Sequence, residues 1–511
     1  MNNVHNGTLS IASAPAISDR VAIIGAGPAG IHMAHLLKQR GHTKVTVLDS
    51  EPRVGGKSRT VYVRDLPMEL GTTWLKTTYR RLPALLTEIG RNDVRPVLSS
   101  EIYLSQPGSQ SKISVAEWVA QMTAAAAAAA SDGQSSEPPT PLTALAAQYH
   151  ACNEALYGRS PHRIPQAPGS EASDLLSKNF AEYLHDVSLD RLTAAYFLTG
   201  TMFGYGFADS IPAYYGNYWM DAATISAMSN FGNPQPGGDD PISGRVETPV
   251  AYMLANGFEF LWRDLADKSS ADLLLGVTIT GIERSEAGGL RNSPATIRFV
   301  RNGLEERLEC DFVILAIPAK QALQLLDQPT PRELDNFSGQ VFQRKYANTL
   351  VEAQNPFSGK GLIFWPENMF DHSSDRVTSI RETSAMLDPS KNDSARSLLI
   401  VGQSYPTTVN YDPDKSLSEL EQFLAKNGYV ISDVLERQEW DYFPRFDAAA
   451  IERGAPWDAI ANQGNMNTWF IGSSVSFESV DAVLEFNHFM IDKANEFGHS
   501  GVEGARMIGV T

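Results

Sequence analysis

RVAIIGAGPAGIHMAHLLKQRGHTKVTVLD, Arg20 to Asp49, is the stretch that decides the fold. Arg20 to Ile24 is a short β-rich run, Gly25 to Gly30 a glycine turn, and Ile31 to Gln39 a helix with an apolar stripe ended by Gly41. Val45 to Leu48 reads as a second buried strand. Parallel strands need a helical crossover, so the segment predicts a β-α-β unit. The three glycines have separate tasks. Gly25 permits the tight turn, Gly27 lets backbone approach a phosphate, and Gly30 allows close packing of helix on strand. Asp49 follows at the end of the second strand, where a carboxylate accepts ribose hydroxyls. Read singly, the glycines are an ordinary tight turn and Asp49 a solvated strand-end acid; their joint spacing points to a dinucleotide.

At 511 residues the chain exceeds one ordinary hydrophobic core, so two intertwined domains are expected. With 42% hydrophobic and 20% charged residues it is too apolar for general disorder. A formal charge of −17 repels phosphate polymers and acidic membrane faces, so nucleic acid is not an expected partner. The two cysteines, Cys152 and Cys310, stand in no metal-ligand spacing, and Cys310 opens an apolar strand, so neither zinc nor a disulfide scaffold is expected. Neither a signal peptide nor a membrane span is expected, and the cytoplasm is the expected compartment.

Further along, Ala124 to Ala130 followed by SDGQSSEPPTP reads as a helix end running into a surface insertion, and GNPQPGGDDP, Gly232 to Pro241, as a long loop. Leu273 to Ile282 and Ala295 to Val300 alternate like strands, with a turn at Asn302 and Gly303. Phe312 to Ile317 is an apolar strand stopped by Pro318, and Trp469 to Ile471 is another, followed by a Gly-Ser-Ser turn and a helix from about Ser479. Strands near both ends predict a discontinuous first domain.

After the first unit comes RVGGKSRT, Arg53 to Thr60, whose paired glycines expose backbone N–H groups and whose Lys57, with Arg53 or Arg59, can offset diphosphate charge. Here the chain resembles the flavin-containing amine oxidase superfamily, in which GxGxxG, a strand-end acid, RVGGR and an LG-containing turn occur together. They read GAGPAG, Asp49, RVGGK and MELGTTWL. The resemblance implies FAD, held without a covalent bond, in an α/β fold with a discontinuous Rossmann-like FAD-binding domain and an interleaved α+β substrate domain. Expected segments are 1–95, 246–325 and 446–511 for the FAD-binding domain, 96–245 for a mainly helical substrate or cap region, and 326–445 for the substrate-domain sheet. The implied cofactor set begins with Gly25, Gly27, Ala29, Gly30, Asp49, Ser50, Gly56 and Lys57. It continues with Leu70, Gly71, Thr72 and Thr73 near the ribityl and flavin, and with the Val277 backbone, in LLGVTITGIER, facing the adenine.

A narrower likeness covers GYGFADSIPAYY from Gly204, NGFEFLWRDLA from Asn256, CDFVILAIP from Cys310, WDYFPRF from Trp440 and FIGSSVSFESVD from Phe470. These blocks resemble the polyunsaturated fatty acid isomerase branch. One departure stands out, because the superfamily's usual Gly-Glu is replaced by Gly472 and Ser473. Ser473 still offers a hydrogen bond, so FAD is expected to stay. The helical turn at Val480 either aims N–H groups at the flavin N1/O2 edge or simply starts a helix.

No metal site and no acyl-transfer motif is expected, and His32 and His35 are read as packing or surface residues. Substrate-side candidates are Tyr205, Phe207 and Trp440, whose apolar surfaces suit an alkyl or polyene chain, although core packing accounts for most aromatic residues nearby. Arg80, beside Tyr79 and Arg81, is a candidate anchor for a carboxylate, with a helix face as the alternative. Lys345 and Lys360 are candidates for a flavin-side lysine or are surface lysines. The expected chemistry is hydride transfer from a substrate C–H to flavin N5, by an oxidoreductase or double-bond isomerase acting on a lipophilic small molecule. An amine or amino acid oxidase is the alternative, and a flavin-binding protein without turnover the third reading.

Overall fold

The computed structural model describes residues 11–106, 111–115, 117–119, 121, 141–157, 170–228, 235–236, 245–246, 249–284, 294–370 and 372–507. The alanine run with its insertion, and most of the loop from 232 to 241, lie outside them. A five-stranded sheet is ordered Asp272–Leu275, Val45–Asp49, Val21–Ile24, Phe312–Leu315, Thr468–Phe470, with every pair parallel. Val21–Ile24 is buried along its whole length because helices cover both faces of such a sheet, which explains its unbroken apolar run. Helix Pro28–Gln39 follows it and is covered by helix Val480–Met507, whose Asn487 amide donates to the Ala29 carbonyl at 2.8 Å. The last helix of the chain is thus fixed against the first.

Leu273 to Ile282 does not run as one strand. Gly276, at φ +68°, divides it: Asp272–Leu275 joins the parallel sheet, and Thr278–Glu283 joins an antiparallel sheet with Ala295–Arg301 and Leu304–Cys310. Asn302 and Gly303, at φ +52° and +78°, make the two-residue turn between the latter two strands, a twist that suits a hairpin.

A seven-stranded sheet is ordered Val430–Arg445, Val341–Gln354, Ser397–Pro406, Val377–Glu382, Leu362–Phe364, Ile102–Ser105, Lys112–Ser114. Its one parallel pair joins Leu362–Phe364 to Ile102–Ser105. Helices that include Phe180–Asp186, Leu192–Thr199 and Ala213–Trp219 pack beside it around Phe180, Tyr196 and Tyr215, all fully buried. Among the described residues no helix is long and apolar enough to cross a membrane.

Candidate active site

One cavity of about 490 Å³ runs between the carboxyl ends of the parallel strands and one face of the seven-stranded sheet. Such volumes belong to small-molecule and cofactor sites, roughly 300–1,000 Å³. Gly25, Gly27, Ala29, Asp49 and Gly56 line one end of it, and Lys57 lines it with its ammonium 5.9 Å from the Tyr442 ring.

The glycines differ in what they spare. Gly25 has φ +110°, and a Cβ on it would stand 2.7 Å from the Ala316 carbonyl oxygen. A Cβ on Gly30 would fall 1.9 Å from the Gly25 carbonyl oxygen, so Gly30 is what lets the helix settle on the turn without itself lining the cavity. Gly27 has φ −74°, and its Cβ would meet only the Gly56 Cα, at 3.7 Å. It therefore leaves open space at a helix start, where amides lack intrahelical acceptors and the dipole favours an anion. That cradle fits a pyrophosphate.

Asp49 is fixed by two amides, Ala26 N–H at 2.6 Å and Glu51 N–H at 2.8 Å, one on each carboxylate oxygen. Each oxygen keeps acceptor capacity for a ribose hydroxyl. Ser50 is exposed and stands outside the lining, as does the buried Val277, whose N–H donates to the Asp49 carbonyl at 3.0 Å. Of the basic trio only Lys57 lines the cavity, and it is paired with Glu478 at 3.0 Å. Arg53 and Arg59 both turn to Glu259.

Gly71, Thr72 and Thr73 line the middle of the cavity, and a Cβ on Gly71 would lie 1.7 Å from the Lys57 carbonyl oxygen, so the turn requires glycine. Leu70 packs instead into a small core with Met68, Leu350 and Ile400. Its carbonyl accepts hydrogen bonds from the Asn348 amide at 2.9 Å and the Trp440 indole at 2.8 Å. Trp440 thus lines the cavity and also steadies the turn that passes through it. Gly472, Ser473 and Val480 complete this part of the lining.

On the far side Tyr205 lines the cavity, its hydroxyl donating to the Glu478 carbonyl at 2.8 Å and its ring among Trp219, Phe477, Phe443 and Tyr442. Burial raises the phenols of Tyr205 and Tyr442 well above their ordinary range, so both stay neutral. Phe207 is not in the lining. Gly206, at φ +95°, turns the chain between the two aromatics, and Phe207 stacks on Phe370 at 4.7 Å. Arg80 is exposed, lines a small cleft that shares Lys76 and Tyr79 with the cavity without lining the cavity itself, and donates its backbone N–H to Asp481. Lys345 pairs with Asp441 and Lys360 lies over the Tyr103 ring; neither lines the cavity.

Among the lining residues that the sequence reading did not single out, two are charged and buried. Glu69 is 3% exposed, accepts the Phe258 N–H at 2.7 Å and the Thr60 hydroxyl at 2.9 Å, and is pushed by burial up to about 8. Arg381, 7% exposed, donates to the Thr73 hydroxyl at 2.8 Å and to the Glu69 carbonyl, and burial lowers it to about 10. Glu69 lies within MELGTTWL without being singled out there, and no motif marks Arg381, which the register of the seven-stranded sheet brings to the cavity.

Comparison with known proteins adds the lineage. The chain is 33% identical over 102 residues to putrescine oxidase of Kocuria rosea, 20% of this chain and 21% of that protein. It is 22% identical over 323 residues to coproporphyrinogen III oxidase of Mycobacterium tuberculosis, 61% of each chain. It thus spans less than two thirds of the length of these curated relatives. Among solved structures, the CLA-producing fatty acid isomerase from P. acnes superposes with a TM-score of 0.71 at 19% identity, covering 94% of this chain and 99% of the other. A putrescine oxidase variant superposes with a TM-score of 0.60 at 18% identity, with the same coverages. At these identities the likeness is one of fold. The family model for flavin containing amine oxidoreductases matches residues 28–426, a span that includes the glycine cradle from its proline onward, the Asp49 strand end and most of the large sheet, and its flavin is FAD. The chain belongs to the flavin containing amine oxidoreductase family.

Proposed function

We propose that this oxidoreductase-family protein takes a hydride from a C–H bond of a lipophilic, fatty-acid-like or polyene molecule, ending in oxidation or in a shifted double bond. The observation that carries this reading is the wall beyond the Gly71–Thr73 turn, where Ile102, Leu198, Met202, Leu362, Phe364 and Ile400 line the cavity. Such a wall receives an alkyl chain and keeps water from the reacting carbon. When bound, FAD supplies the hydride acceptor.

The chain's own residues position. Gly25, Gly27, Ala29 and Gly30 would shape the phosphate cradle, Asp49 would hold the ribose, and Asn348 and Trp440 clamp the turn that starts at Leu70. Alignment within contact distance is the main demand of hydride transfer, and a clamped turn supplies it. Trp440→Phe keeps an aromatic ring but shortens it and removes the indole hydrogen bond to Leu70, the hydrogen bond alone being a loss of about 0.5–1.5 kcal/mol. FAD content should stay near that of the parent while turnover falls roughly three- to tenfold. A loss of FAD in step with activity would place Trp440 on the cofactor side.

Amine or amino acid oxidation is the second reading, favoured by the local matches to putrescine oxidase and to the L-amino-acid oxidase of Crotalus adamanteus, 46% identical over 61 residues. Anaerobic stopped-flow mixing with polyunsaturated fatty acids, diamines and amino acids separates the readings. Transient or lasting loss of the oxidised-flavin band with the fatty acids is expected. Bleaching by amines or amino acids alone replaces the proposal with the second reading, and silence toward all three favours flavin binding without turnover.

A further inference from the structure

We propose that Arg381 seats a carboxylate of the substrate, so that the apolar compartment accepts a lipophilic carboxylic acid head first. This rests on the lipophilic-substrate reading and adds to it a head group and a residue. The register puts Ile102, Leu362, Arg381 and Ile400 side by side across four neighbouring strands, and all four line the cavity. Arg381 is the cation in an otherwise apolar row.

Its charge is under-satisfied. A guanidinium has five N–H donors, and those in use here meet a neutral hydroxyl and a neutral carbonyl, on Thr73 and Glu69. The Nε is buried and has no hydrogen-bond partner among the described residues. The Trp74 ring lies 5.5 Å away, a contact that favours the cation without neutralising it. Glu69 is the nearby acid, but its two oxygens are given to Phe258 and Thr60, and burial favours its neutral form. The two lysines of the lining are already matched: Lys57 with Glu478 at 3.0 Å and Lys76 with Asp221 at 2.8 Å. A buried cation without a counter-charge is costly, and an entering carboxylate offsets that cost through paired, charge-assisted hydrogen bonds.

The test reads the flavin spectrum of the intact holoprotein titrated with dodecanoate, dodecanol and benzoate, which present head group and tail together or separately. Dodecanoate should bind about 10- to 100-fold more tightly than dodecanol, the range expected for charge-assisted hydrogen bonds. Arg381→Gln should bring the two to near equality with FAD content retained, and Arg381→Lys should keep part of the preference. Equal binding of acid and alcohol by the parent protein overturns the seat while leaving the lipophilic pocket intact. Benzoate binding that depends on Arg381, with no gain from the dodecyl tail, keeps the seat and overturns the lipophilic reading. Where Arg381→Gln does not accumulate, Arg381→Lys takes its place. A preference unchanged in the variant that folds, with only the flavin's reduction potential or FAD content altered, overturns the proposal.

Discussion

Replacing Gly27 by tryptophan should yield a folded protein that purifies colourless and takes up no added FAD. The backbone there, at φ −74°, is open to any residue, and a Cβ meets nothing nearer than the Gly56 Cα at 3.7 Å. The side chain beyond that Cβ has the cavity as its free space, so it occupies the phosphate cradle without disturbing the sheet. Gly30 supplies the contrast. A Cβ on it collides with the Gly25 carbonyl at 1.9 Å, with no flexible side chain to give way, so Gly30→Val should fail at folding. Far-ultraviolet circular dichroism and the flavin absorbance of both purified variants check the pair. A Gly27→Trp protein with full yellow occupancy would refute the placement of the pyrophosphate. If Gly30→Val folded like the parent, the account of helix packing would be wrong as well.

The glycine cradle was legible because its physics is local: one strand, one turn and one helix, with the acid a single strand away. The same holds for Gly71, whose neighbour across the turn is Lys57. Legibility ended where function depends on register. Glu478 meets Lys57 across 421 positions, and Arg381 stands beside Ile102 and Ile400 only through strand pairing. In VTSIRE, Arg381 looks like an exposed strand residue; its side chain faces inward because Ser379 and Arg381 share the face that the sheet turns to the cavity. Phe207 shows the opposite error. It follows Tyr205 in the same aromatic block, yet one glycine at positive φ sends the two rings to different places.

Glu69 yields the other large effect, in the dependence of stability on pH. Its folded pKa, about 8, lies above an ordinary value of 4.5 because burial penalises the carboxylate more than its hydrogen bonds favour it. The unfolded chain ionises first, so folding takes up a proton between those values. Glu69's contribution is therefore complete below about pH 4.5, falls by roughly 1.4 kcal/mol per pH unit, and is gone above about pH 8. Other groups tilt the raw profile: burial holds His32 well below the usual imidazole range, which costs stability as pH falls. Glu69→Gln isolates the carboxyl, since glutamine is neutral throughout and nearly the same shape. Relative to the parent, the variant should gain stability from pH 5 to pH 8, by an amount on the order of a few kcal/mol. Urea unfolding of both proteins at several pH values reads that difference, and the infrared band of a protonated carboxyl should vanish in the variant. A flat difference together with no such band means that Glu69 is ionised in the folded protein. Arg381 would then already hold a counter-charge, and its claim to a substrate carboxylate would weaken for a reason independent of any ligand.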